Sequence, residues 1–313
     1  MKIKKLNVFK RDPKSGVSNE YQTSENSFRQ PCLWYISAVR NSGKSFLCSK
    51  FLAQAKKDKT FDKIYMITPS FASNKAYFGD YINEEEDVYD PTKDSIDKVI
   101  KRVEDDRDAW EEFLAQKKMY KEFKKLMKSK KQIETFDEEL LLSAYEKEFM
   151  EHEPEWRYEF ETPPRSLLIM DDVINSPAIL QSSGLGRIAT LNRHLSQLKE
   201  EHSGRSACGL AVIILSQSYR TQNGIGRLLR ENLSLFTVFL NKQKKQMEAI
   251  EDEIGSVVDL DKFKQAYDYA TKEKYGNLTI DFQSKCPSKV FRKNLNEAIV
   301  FEGMDCNCKN KNK

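Results

Sequence analysis

Short, nearly unbroken apolar runs punctuate the chain, each closed by a small or polar residue. They fall at Cys32 to Ile36, Lys63 to Thr68, residues 165–175, 209–216 and 233–240. Runs of this length without alternation predict strands buried on both faces. Helix-compatible stretches separate them: Phe46 to Ala55, residues 185–199 with Arg193-His194, and Lys242 to Ile254. Buried strands alternating with helices predict a mostly parallel sheet in an α/β fold. Residues 277–283 alternate apolar with polar and predict an edge strand, whereas residues 71–95 carry Asn, Gly, acidic and Pro signals and predict irregular chain.

Residues 96–160 follow a different pattern. They are rich in Lys, Glu and Asp, and their apolar positions (Val99, Val103, Trp110, Phe113, Leu114, Phe123, Leu126, Met127) recur at spacings of three, four and seven. That periodicity predicts an amphipathic helical insertion, with a second helix from Asp137 to Met150. The favoured reading is a solvated helical lid without chemistry of its own. The other is a partner- or DNA-contacting arm, with Lys124, Lys125, Lys128, Lys130 and Lys131 as its basic patch.

Composition adds bounds. The chain has 313 residues, 32% charged and 39% apolar, with a net charge of +4. Nothing global demands nucleic acid, so any basic surface is local. The six scattered cysteines, including Cys48 on the helix after the first strand, predict reduced thiols in an intracellular compartment. A metal site from Cys286, Cys306 and Cys308 is the alternative. The basic N-terminus lacks the apolar core of a secretory signal. The longest apolar stretch, Leu210 to Leu215, is far too short to span a bilayer, so no membrane insertion is expected. The predicted domains are a polar arm over 1–30, a main domain over 31–300 and a flexible Lys/Asn-rich tail over 301–313.

The candidate chemistry starts after the first strand. The stretch from Ser37 to Ser45 ends in Gly43-Lys44-Ser45 and leads into a helix. Strand, tight loop and helix form the setting of a phosphate-binding loop, in which backbone N–H groups and the helix N-terminus converge on phosphate oxygens. Ala38, Arg40, Asn41, Ser42, Gly43, Lys44 and Ser45 form the candidate nucleotide-binding set. Lys44 would reach the β- and γ-phosphates, and Ser45 would hold Mg²⁺. Ala38 stands where the usual pattern has its first glycine, so the loop requires ordinary backbone angles there.

The strand Leu167-Leu168-Ile169-Met170 ends in Asp171-Asp172. Downstream of a phosphate loop, the first acid would assist Mg²⁺ and the second would polarise the attacking water. Gln217 closes the next buried run and faces the crevice where ligands of parallel sheets bind, as a γ-phosphate sensor or a turn cap. Arg230, with Arg227 second, is a candidate arginine finger acting on a neighbouring subunit's nucleotide. Arg193 is a weaker candidate for a subunit-bridging or DNA-facing residue.

In order along the chain, Ala38 to Ser45, the strand ending Thr68-Pro69-Ser70, Leu168 to Asp172 followed by Arg193-His194, and Leu215-Ser216-Gln217 followed by Arg230-Glu231-Asn232 resemble the viral genome-packaging ATPases of poxviruses, giant DNA viruses and virophages, within the FtsK/HerA superfamily. The resemblance spans residues 31 to 241. It implies an additional-strand P-loop NTPase with a mostly parallel sheet flanked by helices, to which this chain adds the charged insertion. It also implies an ATP- and Mg²⁺-dependent motor that assembles as a ring, with a hexamer as the expected ring. The ring would pump double-stranded DNA into a preformed capsid at a portal vertex, in the virus factory of an infected host cell or with the virion. The loop Lys199 to Arg205 is the candidate DNA contact. Another P-loop ATPase, helicase-like or a small-molecule kinase, and a non-hydrolysing nucleotide-binding scaffold are the rival expectations.

Overall fold

The computed structural model describes residues 19–128, 138–174, 176–217, 219 and 227–303. The elements run β1 (Leu33–Ser37), α1 (Lys44–Lys57), β2 (Lys63–Ile67), α2 (Lys75–Phe78), α3 (Glu84–Asp87), β3 (Val88–Tyr89), α4 (Ser95–Lys128), α5 (Glu138–Glu146), β4 (Ser166–Asp171), α6 (Pro177–Leu180), α7 (Ser183–Leu191), β5 (Gln197–His202), β6 (Arg205–Ala207), β7 (Leu210–Ser216), α8 (Arg227–Glu231), β8 (Leu235–Phe239), α9 (Lys244–Ile254), α10 (Leu260–Thr271), β9 (Asn277–Asp281), β10 (Phe291–Lys293) and β11 (Glu297–Ile299).

One sheet carries the fold, in the order β11-β10-β9-β8-β1-β7-β4-β2-β3. From β8 to β3 all neighbours are parallel, and β9, β10 and β11 extend the sheet antiparallel beyond β8. Every residue of β1, β4, β7 and β8 is buried, as the continuous apolar runs require. Strand alternation sends their side chains to two cores. Leu33, Tyr35, Leu168, Met170, Val212 and Ile214 pack with α4, α7, α9 and α10. Trp34, Ile36, Leu167, Ile169, Ala211 and Ile213 pack with Leu47, Cys48 and Leu52 of α1.

Several expectations change. Strand β9 is interior, because the short β10 and β11 add on beyond it, and all five of its residues are buried. The helix expected over 185–199 stops at Leu191. Asn192–His194 form a 3₁₀ turn, and Ser196 then takes a φ of 55°, which a continuing helix excludes. The loop Lys199 to Arg205 is instead the hairpin of β5 and β6, turned at Ser203 and Gly204 with φ of 53° and 75°. The irregular stretch 71–95 holds α2, α3 and the edge strand β3.

The charged run 96–160 divides into two parts. Ile96, Val99, Ile100 and Val103 of α4 belong to the main core, so this half is the covering helix of the β3-to-β4 crossover. Farther along, Met119, Tyr120 and Phe123 meet Leu141, Ala144 and Phe149 in a separate small cluster that ties α4 to α5. Lys130 and Lys131 lie outside the described residues. So do residues 1–18 of the arm and residues 304–313 of the tail. Residues 19–30 lie against the domain: Tyr21 pairs with Gln30, and the buried Asn19 accepts from the backbone N–H groups of Ser206 and Ala207.

Cys32, Cys48 and Cys208 are free and buried, and burial pushes the Cys32 and Cys208 thiols up to about 12. Cys286 is disulfide-bonded, against the expectation of reduced thiols throughout. Among the described residues no His, Cys, Asp and Glu group of metal-binding size occurs; Cys306 and Cys308 lie outside them. Nor is any described helix long and apolar enough to cross a membrane.

Candidate nucleotide site

The loop from Ala38 to Gly43 leaves the C-terminal end of β1. The Ala38 N–H donates to the Ser216 carbonyl at 3.0 Å, which ties the loop to the end of β7. Ala38 is buried and is not among the positive-φ residues; the loop's left-handed positions are Asn41 (φ 61°) and Gly43 (φ 98°). Alanine therefore serves where the usual pattern has glycine, because the reversal of the chain falls later in the loop. Gly43 caps α1 without a side-chain acceptor, and the first turn holds no acidic residue. The leading N–H groups of α1 and its dipole are thus left for an anion.

Two polar relays face this helix end. In the first, Lys44, only 8% exposed, places its Nζ 3.1 Å from Asp172 Oδ1. Gln217 Nε2 donates to the other oxygen, Asp172 Oδ2, at 2.9 Å. Asp172 takes a φ of 52° just past β4, and its N–H donates to the Leu215 carbonyl at 3.0 Å. This turn swings its carboxylate towards Lys44. In the second relay, the Ser45 hydroxyl donates to Asn74 Oδ1 at 3.4 Å, and Asn74 Nδ2 donates to Asp171 Oδ2 at 2.6 Å.

Burial first, and the neighbouring Asp172 charge second, push the Asp171 carboxyl up to about 6, while Lys44 and the Asn74 hydrogen bond pull it down. The two relays line one cavity of about 980 Å³, together with Arg40, Asn41, Ser42, Thr68, Pro69 and Ser70.

Strand β7 lies between β1, which carries the loop, and β4, which carries the acids. The fold is that of an additional-strand P-loop NTPase. No family model and no curated protein matches the sequence. Among solved structures, the chain is similar to the genome packaging NTPase B204 from Sulfolobus turreted icosahedral virus 2 in complex with ATP-gammaS. Identity is 14% and the TM-score 0.44, over 84% of this chain and 97% of that one. It is also similar to the pCW3 conjugation coupling protein TcpA (16% identity, TM-score 0.37, 69% of this chain and 51% of that one). A further neighbour is EssC, ATPases 2 and 3, from Geobacillus thermodenitrificans (14% identity, TM-score 0.37, 69% of this chain and 34% of that one). The fold assignment itself rests on the strand order and the loop.

The P-loop NTPase cavity gathers Arg40 to Ser45, Asp171, Asp172 and Gln217, while Ala38 anchors the loop from beneath. Other candidates lie apart from it. Arg230 donates from Nε to Glu253 Oε1 at 2.7 Å, and Glu253 Oε2 accepts from the Tyr219 hydroxyl at 2.7 Å. Arg227 opens α8, and its side chain lies outside the described residues. Arg193 pairs with Glu20 at 3.0 Å, and His194 Nδ1 meets Asn19 Nδ2 at 3.0 Å, so both hold residues 19–20.

The hairpin candidate changes most. Arg205 is 5% exposed and donates to the carbonyls of Pro163, Pro164 and Cys208, and the Lys199 ammonium is paired with Glu111 at 2.9 Å. Arg205 is thus a structural cation with no face towards a phosphate backbone. Sequence reasoning missed Asn74 and Tyr275, which also line the cavity. Asn74 lies four residues past Ser70, and only its position after the Thr68-Pro69-Ser70 strand end could have pointed to it.

The oxygens near Ser45 and Asp171 are hard donors that suit Mg²⁺, which takes one or two protein oxygens and completes its shell with water and phosphate. The uncapped helix end and Lys44 suit a triphosphate. The residues present fit both groups.

Proposed function

We infer that the chain is an ATPase that drives double-stranded DNA translocation and packages a viral genome into a preformed capsid. The observation that carries the ATPase reading is the pair of relays, Lys44–Asp172–Gln217 and Ser45–Asn74–Asp171, closing on one uncapped helix end. Bound Mg²⁺ would supply charge neutralisation for the phosphates. Ser45 and Asp171 would orient that ion. Lys44 would turn from Asp172 to the β- and γ-phosphates, freeing the Asp172 carboxylate to hold and polarise a water. Gln217, already donating to Asp172, would then sense whether the γ-phosphate is present.

The translocase part rests on the order of motifs shared with packaging ATPases. On this reading the chain forms a ring, a hexamer in the expected case, around double-stranded DNA at a portal vertex in an infected cell. Arg230, or Arg227, would act on the neighbouring protomer's nucleotide, which requires the Arg230–Glu253 pair to open. DNA contacts would go to phosphates and depend on salt.

The test is ATP turnover with and without long double-stranded DNA, at low and raised salt, for the wild type and Lys44→Ala. DNA-stimulated turnover that salt suppresses and Lys44→Ala abolishes is expected. Turnover indifferent to DNA would sink the translocase reading, and unchanged turnover in Lys44→Ala would sink the site.

A further inference from the structure

Helix α5 turns one face inward and leaves the adjoining one open. Leu141 and Ala144 pack on α4, whereas Leu142 and Tyr145, one turn apart, are 59% and 82% exposed. Met150, just past the helix, is 62% exposed. Large apolar side chains grouped in the open mark a contact surface. The chain around them is acidic. Glu146, Glu148, Glu151, Glu153 and Glu155 are all exposed, with only Lys147 and His152 as basic residues between them. Lys147 already faces Glu112 of α4 at 4.0 Å. Glu148, Glu153 and Glu155 form no ion pair among the described residues.

A groove of complementary character lies elsewhere. It encloses about 890 Å³ between α1, the 24–30 segment and β10–β11. Phe28, Phe51, Leu295 and Ala298 give it apolar walls. Lys50, Lys57, Lys289 and Arg292 line it with cations, and Asp58 is the one acid among its described lining residues. Arg292 is fixed in place: its guanidinium lies 4.3 Å from the centre of the Phe28 ring and donates to the Asn26 carbonyl at 2.6 Å. Asp281 at 3.8 Å from Arg292, and Glu25 at 3.5 Å from Lys289, offset these two inner cations. The uncompensated charge therefore sits on Lys50 and Lys57, which are exposed and have no ion-pair partner among the described residues. They stand two turns apart on one face of α1, about 10 Å along its axis.

The two surfaces belong to opposite ends of the sheet. Helix α4 follows β3, the edge strand at one end. Ion pairs from Lys117 to Glu161 and from Lys59 to Glu159 hold the outer part of α4 beside the start of β2, the neighbour of β3. Strands β10 and β11, which wall the groove, close the other end. A segment at one end that fits a groove at the other makes a head-to-tail contact, which repeats from copy to copy into a ring or a filament.

We propose that the acidic, apolar segment 142–155 of one copy docks in the α1–β10 groove of the next, its exposed apolar side chains on the groove's apolar walls and its glutamates facing Lys50 and Lys57. The proposal rests on the ring reading above and gives the charged insertion its part in that ring. Double-stranded DNA would also be drawn to the two lysines. A phosphate backbone, however, has nothing to cover the apolar walls, so the groove favours a protein segment.

The test is oligomeric state by sedimentation velocity across a dilution series, with a non-hydrolysable ATP analogue present and thermal midpoints as the check on folding. The proteins are the wild type, Tyr145→Ala, the groove variant Lys50→Glu/Lys57→Glu and the segment variant Glu148→Lys/Glu153→Lys. Each charge-reversed variant alone is expected to need about tenfold or more protein to assemble, because like charges then face each other. A one-to-one mixture of the two is expected to assemble as the wild type does, since every contact in an alternating assembly again pairs opposite charges. An unfolded variant cannot be rescued in this way. Tyr145→Ala is expected to weaken assembly about tenfold, at low and at raised salt.

Wild-type assembly that neither variant disturbs, or a mixture that stays dissociated, overturns this interface and leaves the ring standing. A wild type that remains monomeric overturns both. A groove variant that assembles normally and loses only binding of double-stranded DNA makes the groove a phosphate-backbone site and overturns the docking.

Discussion

Asp171 gives the sharpest test of the site's electrostatics, in the absence of metal and nucleotide. Its carboxyl is raised from 3.8 to about 6 by burial and by the Asp172 charge. In free energy this disfavours the charged form by about 3 kcal/mol. The proton is bound more tightly in the folded chain than in the unfolded one. The group's contribution to stability is therefore fully present below 3.8 and is lost as pH rises through about 6, above which the folded protein bears the whole cost. Asp171→Asn removes the charge while keeping an oxygen to accept from Asn74. In EDTA at about pH 7.5 the variant should be more stable than the wild type by up to about 3 kcal/mol. At about pH 4.5 the gain should shrink to about 1 kcal/mol. Urea unfolding of both proteins across this range measures it. A variant no more stable at about pH 7.5, or one with a gain independent of pH, would refute a buried, charge-crowded Asp171.

Three further outcomes are expected. Gln217→Ala should lower kcat by about tenfold or more with a smaller change in KM, because its amide touches Asp172 and not the phosphate loop; steady-state ATPase kinetics with an unchanged kcat would remove it from the water-positioning relay. Arg205→Ala should destabilise the fold by about 3 kcal/mol or more in urea melts, since it strips the buried carbonyls of Pro163, Pro164 and Cys208 of their donor. If its main effect were instead on DNA binding with stability intact, the buried role would be wrong. Gly276→Ala should cost stability by about 1–3 kcal/mol through the Ala270 carbonyl clash, read as a lower thermal midpoint, and a neutral result would contradict the turn geometry.

Much of this was legible in the chain itself. Continuous apolar runs bounded by turn signals fit strands covered on both faces, and the runs for β1, β7 and β8 match their ends within a residue or two, whereas the run 165–175 starts one residue before β4 and overshoots its end at Asp171 by four. Gly43-Lys44-Ser45 and Asp171-Asp172 were readable because a phosphate loop and a strand-end acid pair are local patterns, each set by a few consecutive residues.

Tertiary pairing decided the rest. Periodicity reports whether a face is buried and is silent about what buries it. The sequence therefore could not tell that β9 is interior, that half of the charged run covers the main core, or that Arg205 is sealed under three carbonyls. Nor could spacing reveal Asn74 between Ser45 and Asp171, or Tyr275 against Gly43, across separations of 97 residues for Asn74–Asp171 and more for Tyr275–Gly43. The sequence determines which residues can do chemistry at a strand end. The order in which the strands assemble, β7 between β1 and β4, determines which of them meet, because hydrogen-bond pairing between distant segments is fixed only when the whole sheet forms.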